Sequence, residues 1–256
     1  MQCLNLLRLK ALVKAAPLGA ALMWCAVIQT LPARAAEFSV SPIGVQFEPG
    51  RRSATVAINN ADKRPIRFQL TLVEWTQNAK GEDIYTPSDD LIFFPHQLTV
   101  QPGERGIARI GPKRPPAGTE KAYRLRVEEL ADPAPEGGGL SLNFTITFAV
   151  PVYLGSLDAR PALVIAPLQM QDGKLLATLQ NTGNAHFRIE SMEVKGADGY
   201  AQQLNGWYLL PGAGRQYTLA IPPEVCRAQQ RLNLSVKVGE NHFDSGLSVD
   251  PSMCGS

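Results

Sequence analysis

The sequence predicts an all-β protein built of two immunoglobulin-like β-sandwiches. Apolar side chains recur at every second position in short runs about ten residues apart, the period of half-buried strands. Clusters of Gly, Pro, Asn and Asp that suit tight turns separate these runs. No amphipathic helix pattern of useful length interrupts the series after the amino-terminal segment.

That segment is set apart. Arg8, Lys10 and Lys14 precede an apolar stretch from Ala15 to Thr30, and Ala33-Arg34-Ala35 offers small residues at the two positions a signal peptidase reads. Residues 1–35 are therefore expected to be a cleaved signal peptide. Pro17, Gly19 and the short apolar length argue against an anchor, and no later segment is expected to insert in a membrane. The segment carries four basic side chains, Arg8, Lys10, Lys14 and Arg34, and no acidic one. Its removal takes 25 basic against 23 acidic residues to 21 against 23, a net charge of −2. A near-neutral mature chain gives no electrostatic case for a nucleic-acid partner. Cys3 and Cys25 leave with the signal. Cys226 and Cys254 remain and are expected to form a disulfide in an oxidising compartment. Closing a loop of about 29 residues would stabilise by ~3.6 kcal/mol in the chain-entropy view.

The strands follow in order. Ala54, Val56 and Ile58 alternate, as do Ile66, Phe68, Leu70 and Leu72 leading to Trp75. A turn at Asn78–Gly81 precedes Ile84-Tyr85. Leu98 and Val100 run into Pro102-Gly103, and Ile107 and Ile110 lie beyond. Tyr123, Leu125 and Val127 form the next strand, with Arg124, Arg126 and Glu128 on its outward side. Pro133, Pro135 and Gly137–Gly139 make a loop. A long strand from Leu140 to Tyr153 then carries Leu140, Leu142, Phe144, Ile146, Phe148 and Val150 on one face. Such a row is either covered within its own fold or kept for a partner that adds a strand beside it. Gly155–Pro161 marks the boundary between a domain at 36–155 and one at 156–256. In the second, Leu175–Leu179, Phe187–Val194, Tyr217–Ile221 and Leu232–Val238 alternate between turns at Asn181–Asn184, Asp198-Gly199 and Pro222-Pro223. About seven strands per half fit two seven-stranded sandwiches.

Catalytic chemistry is not expected. His96, His186 and His242 stand alone, and no nucleophile elbow, phosphate loop or zinc-protease motif occurs. The pairs Asp89-Asp90 and Glu128-Glu129 are chain neighbours, which point to opposite faces of a strand. Neither a cofactor nor a metal is called for, so the chain reads as a binding protein.

Several stretches resemble the periplasmic chaperones of chaperone–usher pili. Phe38–Glu48 with Pro49-Gly50 looks like that family's first strand and turn, and Ser53–Asn60 like its second. The segment Leu98–Ile110, with Pro102-Gly103 before Arg109, is similar to another. Tyr123–Leu130 resembles the family's aromatic-Arg-aliphatic signature. The second half matches in layout more than in motif. The resemblance implies two sandwiches in an L-shaped pair and a periplasmic location. It also implies a strand lent to pilus or fimbrial subunits, which then pass to an outer-membrane usher. Leu140, Leu142, Phe144, Ile146, Phe148 and Val150 would be the lending residues. The family holds the subunit's terminal carboxylate with an Arg in the first strand and a Lys in the lending strand. Here Gly44 stands at the first position and the lending strand has no cation. That departure fits an archaic-type member whose anchor sits elsewhere, with Arg109, Arg124 and Arg126 as candidates. The alternative is an exported adhesin or carbohydrate-binding module.

Overall fold

The computed structural model describes residues 37–255 apart from 79, 116–117, 132–143 and 156–157. The segment expected to be a signal and the stretch with Leu140 and Leu142 lie outside the described residues. Among those described, no helix is long and apolar enough to cross a membrane.

The first half pairs two sheets face to face. One runs in the order β1 (Phe38–Ser41), β3 (Ala54–Asn60), β8 (Arg105–Pro112), β6 (Leu91–Phe94). The other runs β2 (Val45–Phe47), β10 (Thr147–Leu154), β9 (Lys121–Glu129), β4 (Ile66–Gln77), β5 (Asp83–Pro87), with β7 (Gln97–Val100) also on β4. The expected first strand is divided: β1 pairs antiparallel with β3, the chain changes sheet between Ser41 and Gly44, and β2 pairs parallel with β10. The alternating residues meet in between. Val56, Ile58, Phe68, Leu70, Ile110, Tyr123, Leu125, Val127, Val150 and Val152 all lie in one buried cluster.

The second half holds β13 (Lys174–Asn181) between β18 (Gly214–Ala220) and the short β11 (Leu163–Ile165) and β12 (Gln169–Gln171). Facing it is the sheet β16 (Ala201–Asn205), β15 (Ser191–Lys195), β19 (Arg231–Val238), β20 (Asn241–Ser248). A small pair is formed by β14 (Phe187–Arg188) and β17 (Tyr208–Leu209). Pro222-Pro223, read as a turn, instead starts the helix α1 (Pro223–Ala228), where a proline in the first turn gives up no helical bond. Cys226 in α1 is bonded to Cys254.

One device recurs in both halves. Asn60 at the end of β3 is buried and donates through Nδ2 to the carbonyls of Arg64 (2.8 Å) and Val100 (2.9 Å). Asn181 at the end of β13 does the same to Ala185 (2.8 Å) and Leu209 (3.0 Å). A buried amide that satisfies two loop carbonyls fixes the turn that follows it.

The halves are packed together. Trp75, Ala122 and Tyr153, from the outward face of the first half's second sheet, belong to the same buried cluster as Phe187, Ile189, Leu209 and Leu210. Polar bonds ring this contact. Trp207 Nε1 donates to Asp83 (2.9 Å), and Gln77 donates to the Tyr208 carbonyl (2.9 Å) while accepting from the Leu210 amide (3.0 Å).

Candidate functional site

Strand β10 has an uncovered edge. It pairs with β9 from Thr147 to Leu154, but β2 lies on its other side only from Val152 to Leu154. From Thr147 to Pro151 that second side has no strand neighbour among the described residues. The Glu129 amide donates to the Ile146 carbonyl at 3.0 Å, which turns the backbone groups of Ile146, Phe148, Val150 and Val152 toward β9. Those of Thr147, Ala149 and Pro151 therefore point to the open side. Pro151 offers only its carbonyl there.

The side chains along this edge continue the row of the core. Val152 and Val150 are 0% and 4% exposed, while Phe148 is 38% and Phe144 58% exposed. The Phe148 ring meets Phe38 edge-on at 5.3 Å, and Phe38 meets Phe68 at 4.8 Å, so the hydrophobic packing frays outward from the core. Two expectations change here. Among the described residues the regular strand begins at Thr147, and 144–146 lie outside it, because antiparallel pairing with β9 ends near Glu129. Val150 is a residue of its own sandwich's core and is not free to enter a partner.

The three arginines separate clearly. Arg109 sits on β8 in the opposite sheet, beside Thr55 and Phe94, and shares no face with the open edge. Arg126 is outward but bonded to Glu128 at 2.6 Å. Arg124 stands across from Pro151 in the β9–β10 register. It is 7% exposed, not on a solvated face as its outward position suggested, because the second half covers it. Its guanidinium lies 3.8 Å over the Trp75 ring and 5.6 Å from Tyr208, and Nη1 donates to the Ala149 carbonyl at 3.3 Å. Its Nε has no partner among the described residues. Thr71 Oγ1, Trp75 Nε1 and Tyr153 OH, on the same sheet face, are also buried without partners among the described residues. Such a collection of unmet donors is costly unless something accepts from them.

Tyr85 on β5 adjoins this group. Burial, then the charge of Asp83, raises its hydroxyl above the usual tyrosine range, while Arg124 pulls the other way. Burial drives the Tyr153 hydroxyl far above that range. Sequence reasoning missed Tyr85, Tyr208 and the stacking Trp75 as neighbours of Arg124, since contacts across the junction leave no periodic trace. No grouping of three or more metal-ligating side chains occurs among the described residues.

The pattern of the pili and flagellar-assembly chaperones, PapD N-terminal domain, matches residues 37–154, the two sheets that carry this edge. The first sandwich belongs to that chaperone family. A probable fimbrial chaperone, EcpE of Escherichia coli strain K12, is 28% identical over 170 residues, covering 62% of this chain and 66% of EcpE. The matched stretch thus spans just under two thirds of that relative's length. Solved chaperones share the fold of both halves. The CsuC–CsuE chaperone–tip adhesion subunit complex from archaic Csu pili of Acinetobacter baumannii matches with a TM-score of 0.61 at 19% identity, over 82% of this chain and 98% of that one. The class 5 fimbriae chaperone CfaA matches with 0.55 at 13% identity, over 84% and 100%. The fold is the two-sandwich fold of pilus chaperones.

Proposed function

We propose that this chain is a periplasmic chaperone that holds pilus or fimbrial subunits by lending them the edge of β10, and then yields them to an outer-membrane usher. Residues 1–35 would be its export signal, 36–155 the lending domain and 156–256 the second domain. The observation that carries the reading is the row Phe144, Ile146, Phe148, which continues the core row beyond its own cover beside unpaired backbone groups. A subunit lacking a strand would gain both ladder bonds and apolar cover from it. Each buried aliphatic or aromatic side chain would contribute ~1.5–3 kcal/mol before ordering costs. Leu140 and Leu142 would extend the row. Of the three arginines, Arg124 suits the subunit's terminal carboxylate best, being close to the open edge with unmet donors.

Co-purification of the tagged mature protein with small β-rich proteins encoded beside it tests this. One-to-one complexes are expected, lost on Phe144→Asp or Ile146→Asp with the monomer still folded. A chain that purifies alone, or complexes indifferent to both substitutions in folded protein, would overturn strand lending.

A further inference from the structure

We infer that the end of the first sandwich where β2 and β8 finish is a docking groove for an acidic, extended segment of a partner protein, held by Arg51, Arg52, Lys113 and Arg114. None of these residues belongs to the open edge of β10, and the inference does not rest on strand lending.

Two turns build the groove. After β2 the chain bends at Pro49-Gly50, with Gly50 at φ +94°, and presents Arg51 and Arg52 in succession. The Arg51 amide closes this turn on the Glu48 carbonyl at 3.0 Å. Its Nη1 donates to the Gln46 carbonyl at 2.8 Å, and its guanidinium lies 5.7 Å from the centre of the Phe47 ring. Arg51 is thus exposed yet already placed. On the other side β8 runs out through Gly111 and Pro112 into Lys113, Arg114 and Pro115. A Cβ at Gly111 would come within 2.5 Å of the Arg52 carbonyl, so the bare glycine lets the two turns close up. Between them is a cavity of about 390 Å3 lined by Gly50, Arg51, Arg52, Lys113, Arg114 and two prolines. Among the described residues no acidic side chain lines it.

Four cations meet there in a chain whose net charge without residues 1–35 is −2, so the charge is local and not a matter of composition. Neighbouring carboxylates leave it largely unquenched. Lys113 pairs with Asp89 at 2.8 Å, but the Asp89 side chain is 93% exposed, and such a surface pair exchanges at little cost. Asp90 is taken by Lys121 at 2.8 Å and by the Tyr123 hydroxyl at 2.7 Å. Arg51, Arg52 and Arg114 are in no ion pair among the described residues. A guanidinium without a partner suits a carboxylate, which takes two of its N–H bonds side by side.

Shape narrows the partner further. A second cavity of about 250 Å3 shares Lys113, Arg114 and Pro115 with the first and continues to Lys121. The groove therefore runs on past the reach of a single small anion, as an extended segment with repeated Asp or Glu requires. No exposed large apolar side chain lines either cavity among the described residues. Adsorption to an anionic bilayer gains from apolar insertion, which this groove has no side chain to make.

The test uses the protein from residue 36 onward and a fluorescein-labelled octaglutamate peptide, followed by anisotropy. Binding is expected at low salt and should weaken ~10-fold or more at physiological salt. Arg52→Gln with Arg114→Gln should weaken it by at least ~10-fold, the single variants serving if the pair does not fold. Lys80→Gln with Lys174→Gln makes the same charge change outside the groove and should alter binding less than ~2-fold. Asp89→Asn, which frees Lys113, should tighten it ~2- to 3-fold. No binding at low salt, or equal losses in the two double variants, overturns the groove. Binding to phosphatidylglycerol vesicles but not to the peptide makes it a lipid contact and overturns the acidic segment. Displacement by inorganic phosphate beyond that by sodium chloride of equal ionic strength makes it a small-anion site, with the same consequence. Strand lending stands or falls separately from all of these.

Discussion

Oε1 of Glu120 lies 2.6 Å from Nδ1 of His186 and 2.9 Å from the His186 backbone nitrogen, so one buried oxygen ties the first sandwich to the second twice. Its other oxygen accepts from Gln46 Nε2 at 3.1 Å, and the His186 ring stacks on Tyr153 at 3.5 Å. Glu120 therefore links the start of β9, the strand that carries Arg124, to the second half. Glu120→Ala would leave those partly buried groups unmet, at a cost of ~2 kcal/mol. Urea unfolding should show a lower midpoint, with Glu120→Gln losing less. Equal midpoints for the parent and both variants would show that the contact is idle.

Gln77 makes a neutral version of the same tie. Its Nε2 reaches the Tyr208 carbonyl and Asp83, each at 2.9 Å, and its Oε1 takes the Leu210 amide. Gln77→Ala is expected to cost ~1–3 kcal/mol. Hydrogen exchange of the Leu210 amide should quicken while amides deep in β3 keep their protection.

Alkaline conditions should loosen the protein through its buried phenols. Burial first, and then the carboxylate of Asp90, raises the Tyr123 hydroxyl above its ordinary 10.0, and burial raises that of Tyr153 as well. A folded-state value above the unfolded one means the native protein holds more protons in that window. The stability these groups supply is complete below about pH 10 and declines as pH rises above it. Absorbance titration should show Tyr123 and Tyr153 ionising only together with unfolding. Ionisation with the far-ultraviolet signal intact would contradict this.

The bond between Cys226 and Cys254 fastens α1 to the carboxyl-terminal 3-10 turn Pro251–Met253, with both sulfurs buried. The double substitution to Ala should lower stability by about 3–4 kcal/mol. Thiol labelling of unfolded, unreduced protein should find neither cysteine free.

Gly44 lies beside Pro151, and a Cβ there would meet the Pro151 ring at 3.6 Å, an ordinary contact. Gly44→Arg is thus sterically admissible and would put a cation at the end of the open edge. In an Arg124→Met background it should restore part of the preference for a free carboxylate. Its failure to do so in folded protein would mean that the chain end lies elsewhere.

The alternation of Phe144 through Val152 was legible in sequence because the strand period depends on nothing beyond the chain itself. Where the protein's own core stops was not. Val150 lies within the buried cluster and Phe148 at its margin against Phe38, a difference set by residues far away in the chain. Arg124 was harder still. Alternation marks it as outward, and for most strands outward means solvent. Here the outward face of β9 receives Tyr208 and its neighbours from a distant part of the chain. Arg126, two residues on, escapes that cover and pairs with Glu128 instead. Long-range cover decides the fate of two arginines that local pattern treats alike.

If the frayed row along β10 is lent to a client, folding and client recognition are measured along one ruler. A single residue inserted between Phe148 and Val150 would leave Val150 and Val152 seated, and the domain would still fold. Everything upstream would be turned over, so that Thr145 and Thr147 stood where Phe144 and Ile146 had been. On the strand-lending reading, such a protein would keep its fold and lose its subunits.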